Sequence, residues 1–163
     1  MVRRLLLVAA GLFALASCRE SVPAESTSTS GVHENRLQVV PLSVKTQQGV
    51  VRFRAEVAAT EEQQAQGLMF REEIGPDEAM IFPFSPPRPA SFWMKNTLIP
   101  LDMLFVRPDG SIARIAVNTV PHSIEPISVE EPLSAVVEIA GGRSVELGIS
   151  EGDTVSWPKS PAS

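Results

Sequence analysis

Residues 37–58 read LQVVPLSVKTQQGVVRFRAEVA, two runs rich in β-branched residues on either side of Gln47, Gln48 and Gly49. In the second run Val51, Phe53, Ala55 and Val57 alternate with Arg52, Arg54 and Glu56, the two-residue period of a strand with one buried and one wet face. The pair predicts a β-hairpin, and Pro41 places the first strand at an edge or a bulge.

Working toward the C-terminus, Thr60-Glu-Glu-Gln63 has the form of a capping box and predicts a helix running to about Phe70. Gly67 in its last turn predicts close packing or an early stop. Residues 71–78 are a turn-rich connection and 79–82 (AMIF) a short apolar strand. The four prolines of 83–90 (PFSPPRPA) predict a rigid extended loop. Strands are expected at 92–97 and 101–107, broken at Pro100, then a tight turn at Pro108-Asp109-Gly110 into a strand at 111–117. A loop over 118–132, a buried strand at 135–140, a helical turn in 143–149 and a last strand at 153–157 complete the domain. The sum is an α+β fold, mostly β: a curled antiparallel sheet or partial barrel with one or two short helices.

The N-terminal 18 residues, MVRRLLLVAAGLFALASC, combine a basic start, an apolar run too short to span a bilayer and small residues before the only cysteine of the chain. This is the layout of a signal peptide, and Leu15-Ala16-Ser17-Cys18 resembles a bacterial lipobox. Residues 1–17 are therefore read as a lipoprotein signal peptide. Residues 18–36 are a lipidated Cys18 and a flexible tether, 37–157 a single globular domain and 158–163 a loose tail. Arg19 after the cysteine points to the outer membrane if the cell is Gram-negative. The expected location is the cell envelope, facing the periplasm, with the membrane as a partner through the acyl anchor.

Composition narrows the chemistry. Removing Arg3 and Arg4 from the 14 basic residues leaves 12 against 19 acidic ones, a net charge of −7 with no basic stripe, so nucleic acid is not an expected partner. With Cys18 lipidated there is no disulfide, thiolate or cysteine-zinc chemistry. His33 and His122 are too few for a histidine-rich metal site.

Two acids interrupt runs that are otherwise apolar on both strand faces: Asp102 in 101–106 (LDMLFV) and Glu138 in 135–140 (AVVEIA). A buried carboxylate without a partner costs several kcal/mol, so each needs one. Lys95 and Asn96 are near in sequence and offer a first geometric pairing with Asp102. Glu138 could share the lysine, take backbone amides or keep its proton with a raised pKa. Such a set is either a structural polar network or the floor of a pocket for a polar ligand, with Lys95, Asn96, Thr97, Asp102 and Glu138 as its candidate residues. The partner would then be a small ligand or an envelope protein. An alternative is an enzyme using Lys95 with Asp102 or Glu138 as acid and base, although no nucleophile, phosphate or metal motif accompanies them. A third is a Cu(I) carrier through Met69, Met80, Met94 and His122, with Met103 nearby, against the plainer reading of methionines as core filler. No other cofactor is expected.

The words GLMF (67–70), AMIF (79–82), FWMKNT (92–97), PLDMLF (100–105), DGSI (109–112) and VVEIAGG (136–142) together resemble the family called domain of unknown function 192, over residues 39–157. The resemblance implies a small, mostly β domain, often exported or lipid-anchored, with no agreed activity. Its recurring polar positions fall here on Lys95, Asn96, Thr97, Asp102 and Glu138. Gln66 stands where the family often has arginine and Ala79 where it often has glycine, so a role needing a cation at 66 does not carry over.

Overall fold

The alternation in the opening hairpin is realised directly: β1 (Gln38–Thr46) and β2 (Gly49–Val57) pair antiparallel around a turn at 47–48. The structure, a computed structural model, describes residues 37–158. The leader, Cys18, His33, the tether to residue 36 and residues 159–163 of the tail lie outside them. After the hairpin come α1 (Glu61–Gln66), β3 (Glu78–Phe92), β4 (Leu101–Val106), β5 (Ile112–Ala116), β6 (Ile127–Ala140), α2 (Arg143–Glu146) and β7 (Thr154–Ser156). The strands form one sheet in the order β5-β4-β6-β3-β2-β1-β7. Every pairing is antiparallel except β2 with β3, which is parallel because α1 carries the chain across between them.

The sheet curls until its two edges meet. Ser111, just before β5, bridges to Thr154 of β7. Three backbone bonds close the seam: Ile112 N–H to Asp153 O at 2.8 Å, Gly152 N–H to Ile112 O at 2.9 Å and Val155 N–H to Gly110 O at 2.8 Å. β7 covers β1 only from Ser43 to Lys45, so Pro41 pairs with Arg54 on one side and has no strand on the other. Closure of this kind removes the exposed edges that invite aggregation.

Curling produces two cores. Inside lie Leu42, Val44, Phe53, Ile81, Leu104, Val137 and Ile139, among others. On the outer face of β3, β4 and β6 a second core gathers Leu68, Met80, Phe82, Met94, Met103, Phe105 and Leu133. Edge-to-face ring contacts run through it, Phe82 to Phe92 at 5.1 Å and Phe92 to Phe105 at 6.3 Å between centroids.

α1 is held over this outer face. The capping box is formed, with Gln63 N–H donating to the Thr60 hydroxyl and the Gln63 amide oxygen accepting from Thr60 N–H. Gln64 donates to the carbonyls of Ala58 and Pro83, both at 3.1 Å. The helix stops at Gln66 rather than near Phe70, and a β-carbon on Gly67 would sit 3.4 Å from the Phe82 ring, so the stop coincides with close packing.

Three local expectations change. Residues 83–90 are not a loop but the middle of β3, where the ladder to β6 slips between Pro83 and Arg88 and again between Arg88 and Ala90. Proline removes ladder donors, but its fixed φ suits extended backbone, so pairing resumes beyond it. Strand geometry ends at Phe92 rather than 97: Thr97 N–H turns back to Met94 O at 3.0 Å and Asn96 has φ of 58°. The loop expected over 118–132 is shorter, because β6 begins at Ile127 and its first half pairs with the end of β3.

The seam is testable through two glycines. Gly110 and Gly152 have φ of 90° and 91°, but a β-carbon on Gly110 would lie 3.0 Å from the Val155 carbonyl oxygen whereas one on Gly152 meets nothing within 4 Å. Both alanine variants share a backbone cost of about 1–3 kcal/mol. Urea unfolding is expected to show Gly110→Ala as the less stable of the two, and equal losses would mean that the seam contact contributes nothing.

Candidate functional site

Side chains alternate across a strand, and that alternation separates the two acids. In β4, Asp102 shares the inner face with Leu104, while Leu101, Met103 and Phe105 point outward. In β6, Val137 and Ile139 point inward, so Glu138 shares the outer face with Val136. Asp102 pairs in register with Ile139, one position along from Glu138. The two carboxyls therefore stand on opposite sides of one sheet.

Asp102 is fully buried and fully partnered. One oxygen accepts from Asn118 N–H at 2.7 Å and Gly142 N–H at 2.8 Å; the other accepts from Ser144 N–H at 2.8 Å and the Ser144 hydroxyl at 2.6 Å. It ties the loop after β5 and the start of α2 to β4, using amides that a short helix leaves free. The proposed pairing of Asp102 with Lys95 or Asn96 is corrected: backbone amides and a serine satisfy it instead. The sign available in sequence was Gly141-Gly142 ahead of Ser144, a bare backbone able to approach a carboxylate.

Glu138 is only 5% exposed, and no hydrogen bond or ion pair to its carboxyl is found among the described residues. No fully sealed side-chain oxygen among them lacks a partner, so the carboxyl keeps part of that small exposure. Its cross-strand neighbours are Met80 of β3 and Met103 of β4. In the same row Glu56 faces Met80 but forms an ion pair with Arg71, whereas Glu138 lies between thioethers. Burial without a compensating donor pushes its pKa from 4.5 up to about 8. Neither the lysine nor a backbone amide meets this acid among the described residues, and its surroundings favour the protonated form.

What remains open of Glu138 faces a pocket of about 300 Å³ between α1, β3 and the loop after β3. Glu138 and buried Thr97 form its floor; Leu68, Phe82, Phe84 and Phe92 are among its apolar walls; Trp93, 52% exposed, and Arg88 stand at its mouth. The Arg88 guanidinium lies 4.2 Å from the centre of the Phe84 ring. Arg88 escaped notice in the sequence, although it is the one charge within the proline-rich run.

Of the other predicted residues, Lys95 is exposed, with its ammonium 5.4 Å from the Trp93 ring centre. Asn96 is half-buried and donates to Met69 Sδ at 3.8 Å. The structure thus brings Thr97 and Glu138 into one pocket and leaves Lys95 and Asp102 apart from it, so the acid-base trio is not assembled. Met80 and Met94 are buried in the outer core, Met94 Sδ accepting from the Thr119 hydroxyl at 3.1 Å; Met69 lines the pocket and His122 is exposed on the loop before β6.

The two acids predict opposite responses to neutralisation. Asp102→Asn turns an amide donor toward groups that already donate and is expected to lose about 3 kcal/mol or more in urea unfolding. For Glu138 the native pKa lies above the unfolded value, so its contribution to stability is greatest below 4.5 and declines until the pH passes about 8. Glu138→Gln is therefore expected to match the parent near pH 5 and to exceed it by several degrees in Tm at pH 8.5. Thermal melts in parallel across that range decide it; a constant gap would mean that Glu138 is ionised in the native state throughout.

The model of the DUF192 family, described as "Uncharacterized ACR", matches residues 42–157. No curated protein matches the chain. Among solved structures, a protein of unknown function from Novosphingobium aromaticivorans DSM 12444 is 42% identical with a TM-score of 0.73, covering 89% of this chain and 99% of its own. A protein from Sinorhizobium meliloti 1021, provisionally described as a transcription regulator, is 39% identical with a TM-score of 0.73, covering 75% of this chain and 95% of its own. The chain belongs to the DUF192 family.

Proposed function

We propose that this protein is a lipid-anchored component of the cell envelope whose domain binds a small ligand in the pocket floored by Glu138 and Thr97. The observation that carries the reading is the unpartnered Glu138 carboxyl beneath aromatic walls. As a purely structural group it is a liability, since an apolar or amide side chain in that row would avoid the cost of desolvation. A buried polar group that lacks its partner inside a concave, mostly apolar site is what a ligand-binding floor requires. The regulator description of the Sinorhizobium meliloti relative is not carried over, because this chain has a net charge of −5 and no basic stripe.

The anchor rests on Leu15-Ala16-Ser17-Cys18 and on the small, polar stretch that follows it. It would hold the domain at the membrane, where it samples solutes of the envelope.

Two measurements test the reading. Full-length protein purified from bacterial envelopes in mild detergent is expected to show a mass adduct under native conditions that disappears on denaturation and is lost in Glu138→Ala. A bare native mass, or an adduct indifferent to that substitution, overturns the pocket. Labelling with radioactive palmitate is expected for the parent and not for Cys18→Ala; equal labelling overturns the anchor.

A further inference from the structure

Buried acids in this domain come in two conditions. Asp102 has four donors, and Asp153 accepts from Ser150 N–H at 2.7 Å. Glu138 has none. Its cross-strand neighbours are Met80 from β3 and Met103 from β4, and it lines one pocket with Thr97 from the loop after β3 and with Gln64 and Gln66 of α1. Arg88 is the only other charged residue of the pocket lining, and it has no carboxylate partner among the described residues. One pocket therefore holds an unpaired acid at its floor and an unpaired guanidinium at its mouth, with aromatic surface between.

The aromatic faces at the mouth already attract cations. Arg88 sits on Phe84 and Lys95 on Trp93. An ammonium donates three hydrogen bonds and suits an acid and a hydroxyl at the floor, while a carboxylate meets an arginine in a paired, planar geometry. An amine alone leaves the Arg88 guanidinium without an anion, and a carboxylate alone leaves the buried acid without a hydrogen-bond partner.

Building on the pocket reading above, we propose that the ligand is zwitterionic, an amino acid or short peptide with a free amine. Its ammonium sits on Glu138 and Thr97, its carboxylate at Arg88, and an apolar side chain lies against Phe82 and Phe92. With no cation against it, burial favours the protonated form of Glu138 at neutral pH, its pKa pushed up to about 8. Seating an ammonium ionises it: the O–H bond breaks, the carboxylate pairs with the ligand and the proton leaves to solvent. Affinity then rises with pH toward 8, opposite to the trend for a ligand that accepts the acid's proton in a hydrogen bond.

The test uses the full chain in mild detergent and calorimetry with four probes: L-phenylalanine, the dipeptide phenylalanylalanine, phenethylamine and 3-phenylpropionate. The two zwitterions are expected to bind most tightly and to release close to one proton at pH 7. Glu138→Gln should weaken them and phenethylamine at least tenfold and abolish the release. Arg88→Gln should weaken the zwitterions several-fold and spare phenethylamine. If 3-phenylpropionate alone binds, with affinity falling as pH rises, the amine assignment is overturned and the pocket stands. If none of the four binds while the native adduct is present, the ligand class is wrong. If the adduct is missing as well, the pocket reading falls with it.

Discussion

Burial of β4 and β6 on both faces is the constraint on which this structure depends. Every residue of β4 is buried, and β6 is buried from Ala135 to Ile139. A sheet in that position must be covered inside by its own curl and outside by α1, the loops and the extension of β3 and β6. Neither face is left to water, so any polar side chain placed there needs a partner or must give up its charge.

The domain contains both solutions one residue apart in register. Asp102 faces the inner core at the end where α2 closes it, and free amides of a short helix converge on its oxygens. Glu138 faces outward, where its cross-strand neighbours are thioethers, which accept weakly and carry no charge. The first arrangement holds chain segments together. The second leaves binding capacity unspent at the base of a concavity.

That concavity depends on the proline-rich part of β3. Prolines interrupt the ladder to β6, and the register slips where Arg88 is placed. Beyond the slip β3 and β6 continue as a paired extension, and Phe84, Arg88, Ala90 and Phe92 line the pocket together with α1. Left-handed backbone at Phe70 and Asn96 lies on the same side, joined by the bond from Phe70 N–H to Asn96 O. Such conformations cost energy and persist only where surrounding structure enforces them.

Much of the fold was legible from residues 37–58, because a strict two-residue period admits one pairing and one buried face. The capping box at Thr60, the turn ending at Gly110 and the apolar runs around Asp102 and Glu138 were equally direct, since each depends on neighbours within a few positions. The extension of β3 through four prolines was not, because it is decided by a strand supplied from 127–133. Nor was the separation of the acids. Sequence led to the expectation that both were at least partly buried and needed partners; which donors met Asp102, and that none among the described residues met Glu138, followed from the two faces of a curled sheet and from segments 16 to 42 positions away. Burial is a property of local composition, whereas partnership is a property of what the fold brings near.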